Sequence, residues 1–304
     1  MKTNSKQNSV INILCALRPN QWTKNGVLLA AFIFGFWDKS QNIELVTSLM
    51  QVIPGVLFFC LASSCIYLIN DVRDLESDRV HPTKRYRPIA AGLVSVPVAL
   101  LTALVLFVFL VVGSYILSPG FLVVVLGYLA LQIVYSLILK QVALVDVFVI
   151  ATGFVLRAIA GAVVTNVEIS PWLLLCTFLL ALFLGLCKRR HEKIVVADSN
   201  ADQRASLDNY DTQLLNQLIA IVSSAVIVSY SIYTLWPETV EKFGTSYLGF
   251  TIPFVMFGIF RYLDLVYRHE KGDRPEKILL TDIPLLVSIL LYGISVITIF
   301  LLQS

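Results

Sequence analysis

Predominantly apolar stretches of about 20 residues recur along the chain, and short islands between them hold nearly all of its cations. A helix of that length crosses a ~30 Å hydrocarbon core, and inside lipid each segment must satisfy its own backbone polar groups. Few architectures remain open to such a chain. Of its 304 residues, 57% are hydrophobic and 14% charged, against roughly 45–50% and 25% in an average soluble protein. A water-soluble domain is therefore excluded. The net charge of +3 is confined to loops between apolar runs, so it forms no nucleic-acid footprint.

Apolar helices are predicted at about 22–37, 46–69, 93–116, 119–139, 142–165, 171–187, 213–235, 247–267 and 280–302, nine in all. With a cytoplasmic N-terminus, the inner segments hold 19 Lys and Arg and the outer ones only Lys39 and Lys242. The positive-inside rule then places the N-terminus and any catalytic loop on the cytoplasmic side of a cell membrane. No secretory signal precedes the first span. Residues 1–21 read as a cytoplasmic lead-in, and 1–304 as one transmembrane domain. The first span is short, since only Gly26 to Trp37 is continuously apolar. Crossing brings Lys24 and Asn25 to membrane level, where they should face protein or water rather than lipid. The five cysteines include no CxxC pair and suggest neither a disulfide framework nor a zinc site.

The segment LINDVRDLESDRVHPTKRYRPIAAG, residues 68–92, follows the second span. At 100° per residue, a helix continuing past Ile69 would present Asn70, Asp71, Asp74 and Asp78 on one face. Pro82 disfavours helix at His81, and the loop beyond carries Lys84, Arg85 and Arg87. Crowded carboxylates repel unless a cation screens them, and Mg²⁺ binds through one or two carboxylates plus substrate phosphates. A charge run is ordinarily just a solvated helix end. One-sided spacing at a membrane boundary argues against that here.

The N70-D71-x-x-D74-x-x-x-D78 pattern resembles the first aspartate-rich motif of the UbiA superfamily of intramembrane prenyltransferases. RPNQWTKN (18–25), HPTKRYRPIAAG (81–92), VDVFVIATGFVLRAIAGA (145–162), CKRRHEK (187–193) and RPEKILLTD (274–282) are similar to the subgroup that transfers phosphoribose to polyprenyl phosphate. The resemblance implies an all-α bundle of nine transmembrane helices around a central cavity open to the cytoplasm. It also implies a Mg²⁺-dependent transfer from 5-phosphoribosyl-1-diphosphate to a decaprenyl-type phosphate, as in arabinan precursor synthesis for a cell wall. Asn70, Asp71, Asp74 and Asp78 would hold the metal. Arg18, Lys24, Asn25, Lys84, Arg85, Arg87, Asp146, Arg157, Lys188, Arg189, Glu192 and Tyr210 would bind substrate. A homo-oligomer is compatible with such a bundle.

The sequence departs from the superfamily after the sixth span, where a second aspartate-rich motif is usual. KRRHEKIVVADSNAD puts cations first and leaves Asp198 and Asp202 some ten residues beyond the membrane end. A basic cluster suits a phosphorylated sugar or lipid better than an aromatic ring. In the fifth span, Asp146 and Arg157 are 11 residues apart and share a helix face. Arg157 is too deep to face lipid without a cost of several kcal/mol. It either holds a phosphate or pairs with a carboxylate. Asp146 is a helix cap or a partner for a basic residue, and Tyr210 is a site residue or an interfacial anchor. Two other readings are an ordinary prenyltransferase using an allylic diphosphate and a secondary transporter. The latter often carries internal repeats, and the 68–92 pattern has no second copy.

Overall fold

A computed structural model describes residues 9–41, 43–197, 210–268 and 275–303, and every regular element among them is helical. Eight segments are long and apolar enough to cross a membrane. They are α3 (Leu45–Arg73), α5 (Val96–Leu117), α6 (Pro119–Leu137), α7 (Val145–Thr165), α8 (Pro171–Ala197), α9 (Thr212–Leu235), the 3-10 turn Tyr247–Thr251 continued by α11 (Ile252–Arg268), and α13 (Ile283–Leu301). Shorter helices are α1 (Ser9–Ala16), α2 (Leu28–Phe36), α4 (Leu75–Val80), α10 (Pro237–Phe243) and α12 (Pro275–Thr281). The caps are local and sequence-driven. Ser118, Asp211 and Asp282 accept backbone N–H groups three residues on, opening α6, α9 and α13. The Asp282 cap splits the helix expected at 280–302 into α12 and α13.

The short first span forms differently from the others. Pro19–Val27 is a 3-10 helix that runs directly into α2. At about 2.0 and 1.5 Å rise per residue, the two parts together extend roughly 31 Å, so the 3-10 stretch supplies length that the apolar run lacks. This entry segment lies against α7 with almost no gap, because a Cβ built on Gly161 would sit 2.0 Å from the Leu28 carbonyl oxygen. Phe59, Phe121, Val125, Ala160 and Val164 fill the core between α3, α6 and α7. Phe183, Leu186, Leu215, Ile219 and Tyr262 fill a second core between α8, α9 and α11. Outward faces remain apolar, as at Leu101, Phe109, Val123 and Ile294, which suits a chain whose solvent is lipid.

Candidate active site

At 29 residues α3 is about 43 Å long, so its last turns overshoot a ~30 Å core and carry Asn70 and Asp71 to a rim. The continuous helix expected through Asp78 does not form. Helix α3 ends at Arg73, Asp74 takes φ −88° and ψ 13°, and α4 restarts at Leu75 with Glu76 and Asp78 in its first turn. Carboxylates are disfavoured at a helix C-terminus and favoured at an N-terminus, so a break at Asp74 favours Glu76 and Asp78, while Asp71, in the last turn of α3, is matched by arginines instead. The acidic residues consequently point two ways. Asn70 Oδ1 accepts from Ser136 Oγ on α6 at 2.6 Å, and Asp74 accepts from Lys140 Nζ, in the 3-10 turn that follows α6, at 3.2 Å. Asp71 and Asp78, each 2% exposed, converge on the other side.

Between those two carboxylates lies a single nitrogen. Arg87 Nη1 donates to Asp78 Oδ2 at 2.5 Å and to Asp71 Oδ1 at 3.1 Å. Arg18, in a left-handed backbone conformation at φ 55°, also pairs with Asp71 and stacks on the Tyr67 ring. The other oxygen of Asp71, Oδ2, is buried with no hydrogen-bond partner. As Pro82 requires, His81 is extended at ψ 136°. Its Nδ1 accepts the backbone N–H groups of Thr83 (3.2 Å) and Lys84 (3.3 Å), shaping the basic loop. Burial and the nearby Lys84 ammonium hold the His81 pKa below its usual value. Lys84 and Arg85 are exposed, Arg85 lying over the Tyr86 ring.

Deeper in the bundle, where an open cavity was expected, side chains meet. Arg157 is 6% exposed and donates to Asn25 Oδ1 (2.8 Å), the Gly153 carbonyl (2.8 Å) and Tyr128 Oη (3.0 Å). The rings of Tyr128, Phe154 and Phe59 surround its guanidinium. Asn25, fully buried, also donates to Cys60 Sγ and accepts from Ser63 Oγ. Asn25 therefore faces protein, and Lys24 is half-buried on the same 3-10 helix. Arg157 pairs with no carboxylate among the described residues; an amide and a phenol take that place.

A third cluster joins α7, α8 and the start of α9. Asp146 is fully buried and accepts from Arg189 Nε (2.6 Å) and Tyr210 Oη (2.7 Å). Arg189 also pairs with Glu192, and Lys188 lies 3.9 Å from the same carboxyl group. Tyr210 Oη accepts the Leu144 N–H at 2.7 Å, tying down a leucine held at φ 67°. Asp146 is thus a partner for a basic residue rather than the N-cap, and Tyr210 is buried rather than an interfacial anchor. Burial, the hydrogen bond to Asp146 and that carboxylate's charge push the Tyr210 pKa up, so the phenol keeps its proton. Arg190 binds Asn216 and the Val266 carbonyl and stacks on Tyr267. Asp198 and Asp202 lie outside the described residues.

Residues 27–283 match the sequence model of the UbiA prenyltransferase family. The chain belongs to that family. A Mycobacterium tuberculosis protein named decaprenyl-phosphate phosphoribosyltransferase is 36% identical over 281 residues, covering 92% of this chain and 91% of that one. A Corynebacterium glutamicum protein of the same name is 34% identical, covering 92% and 84%. A UbiA homologue from Archaeoglobus fulgidus, solved bound to GPP and Mg²⁺, shares the fold with a TM-score of 0.70 at 19% identity, covering 95% of this chain and 99% of its own.

Several partners of the UbiA motif residues escaped the sequence reading: Tyr128, Ser136, Lys140 and Arg73, whose Nη1 meets Ser136 Oγ at 2.8 Å. The signal was present, because Tyr128, Gln132, Ser136 and Lys140 recur every four residues along an otherwise apolar segment. Four-residue spacing puts Tyr128, Gln132 and Ser136 on one face of α6, and Lys140 follows in the 3-10 turn Leu139–Gln141. Among the described residues, no three His, Cys, Asp or Glu side chains are gathered as a ready-made metal cage. Asp71 and Asp78 nonetheless fit a cation. They already share one cationic nitrogen, and Asp71 Oδ2 offers a buried, unused lone pair.

Proposed function

We propose that this protein transfers the 5-phosphoribosyl group of 5-phosphoribosyl-1-diphosphate to a polyprenyl phosphate, releasing diphosphate, with Mg²⁺ as cofactor. The observation that carries the reading is the buried Asp71–Arg87–Asp78 arrangement with Arg18 and the exposed Lys84–Arg85 loop beside it. The name shared by the mycobacterial and corynebacterial relatives supports the substrate pair. A phosphate monoester is anionic near neutral pH, so the nucleophile needs no strong base, and no activated serine or cysteine is required. The reaction does need positions for three anions: the leaving diphosphate, the 5-phosphate and the lipid phosphate. Arg18, Lys84, Arg85, Arg87 and Lys188 are guanidinium or ammonium groups suited to those positions. Asp71 and Asp78, with Asn70 and Asp74, would hold Mg²⁺, which when bound supplies charge neutralisation at the departing diphosphate. Arg157, caged by aromatic rings, would complete an anion site at the inner limit of the cleft.

The distribution of cations supports a cytoplasmic N-terminus and rim, and the roughly 31 Å reach of Pro19–Phe36 supports reading it as a ninth crossing. The lipid tail would then remain among the helices while its phosphate reaches the rim. The GPP-bound fold relative favours one other reading, an ordinary prenyltransferase. An assay of purified protein with labelled 5-phosphoribosyl-1-diphosphate and polyprenyl phosphates separates the two. Label entering the lipid fraction, dependent on Mg²⁺, is expected. Transfer only from an allylic diphosphate would overturn the reading.

A further inference from the structure

The acidic pair is electrically complete without any metal, because Asp71 and Asp78 are matched by Arg18 and Arg87. Both carboxylates are buried, so charge imbalance between them is costly: removing one partner of a buried pair typically leaves an uncompensated charge. A divalent cation entering beside Arg87 would overcharge the site, and the two compete for the same carboxylate oxygens. Arg87 is the member to be displaced, since it bridges both carboxylates from the loop, whereas Asp71 and Asp78 sit on helices and Arg18 is also held over the Tyr67 ring. Once displaced, its guanidinium requires another anion, and phosphoryl oxygens offer bidentate geometry for it.

We propose that Arg87 is a resident counter-ion that exchanges places with a divalent cation, so that cation and phosphoryl ligand bind together and neither binds well alone. The proposal deepens the functional reading above and rests on it. Arg87 leaves the carboxylates for the ligand's phosphoryl group, the cation takes the carboxylates, and Asp71 Oδ2 gains its missing partner. Arg18 stays on Asp71 Oδ1, the oxygen that Arg87 also contacts, which keeps that carboxylate placed throughout the exchange.

Equilibrium dialysis of the full-length protein in detergent tests the exchange, using labelled manganese and labelled inorganic diphosphate, each alone and both together. For the wild type, retention of each label is expected to strengthen about 10-fold or more when the other is present. Arg87→Ala should bind manganese alone about 10-fold more tightly than wild type and lose most of the gain from diphosphate. Arg87→Gln, which keeps an amide donor for Asp78, is the second variant, and the same pattern is expected. Wild type that binds manganese equally with and without diphosphate overturns the exchange and leaves the site assignment standing. So does an Arg87→Ala protein whose manganese affinity is unchanged. Failure of wild type to retain manganese under any condition removes the metal-site reading itself, and the exchange with it.

Discussion

Arg157 Nε donates to Asn25 Oδ1 at 2.8 Å, joining the middle of α7 to the 3-10 entry segment across 132 residues of sequence. The pair is buried, and the cation's remaining contacts are a carbonyl, a phenol and three aromatic rings. Lysine cannot reproduce a planar fork donating in three directions. Arg157→Lys is therefore expected to lower both thermal stability and turnover. Asn25→Ala, which orphans Arg157 Nε, should cost about 1–3 kcal/mol of stability. Thermal unfolding in detergent beside a turnover assay measures both, and an unaffected Arg157→Lys protein would refute the caged-guanidinium account.

Asp74 and Asp71 should separate function from stability. Asp74 is a third exposed and paired only with Lys140, so Asp74→Asn should change stability by less than about 1 kcal/mol. Its turnover should nevertheless fall about 10- to 100-fold, as for groups that support a metal site. Asp71→Asn should lose both, since Arg18 and Arg87 depend on that carboxylate. Retention of full activity by Asp74→Asn at limiting Mg²⁺ would remove it from the metal-binding set.

The Asp146–Arg189 pair lends itself to a mutant cycle. Arg189→Met leaves Asp146 buried with only neutral donors, Tyr210 Oη and the Val147 N–H, among the described residues, an expected loss of about 3–5 kcal/mol. Combining it with Asp146→Leu should recover much of that loss, because the fully buried charge is gone and Glu192, 25% exposed, keeps Lys188 beside it. If the double variant is no more stable than Arg189→Met alone, the buried pair is not what holds α7 to α8.

Gly161 makes a steric prediction. Alanine there meets the Leu28 carbonyl, which is backbone and cannot rotate aside. Gly161→Ala should cost about 1–3 kcal/mol as an overpacked contact, and should also lower turnover by shifting Lys24 and Asn25. Normal melting and normal activity would show that the entry segment sits farther from α7.

The basic loop is expected to be acid-sensitive through His81. Its folded pKa lies below the ordinary 6.5, so the unfolded chain binds the proton more readily, and stability rises with pH up to about 6.5 and is flat above. Below that, protonating Nδ1 removes the acceptor for Thr83 and Lys84. Weaker apparent affinity for the sugar diphosphate is expected at pH 5.5 than at 7.5, with the difference abolished in His81→Asn. An equal pH effect in the variant would locate it elsewhere.

Hydropathy alone disclosed eight of the nine expected spans, because lipid demands apolar helix, whereas the short first one is part 3-10 helix and is not among the eight. The motif residues were also legible, since Asn70 to Asp78 and Lys84 to Arg87 stand out against so few charges. Their partners were harder to read. Nothing in the spacing of Asp71, Asp74 and Asp78 says that the helix breaks at Asp74, or that Ser136 from α6 and Lys140 from the turn after it meet Asn70 and Asp74 there. Arg157 announced its burial by its depth, yet its amide and phenol partners come from segments 132 and 29 residues away. Pairings of that kind are tertiary, and local pattern carries no record of them.

The tightly wound stretch Pro19–Val27 fixes a distance as well as crossing one. Arg18 at its mouth holds the acidic rim, and Asn25 seven residues on holds the deep guanidinium. At about 2.0 Å per residue those two anchors stand roughly 14 Å apart along the axis, whereas an ordinary α-helix would bring them to about 10 Å. The segment is a built-in gauge, setting the axial separation between the acidic rim and the buried guanidinium.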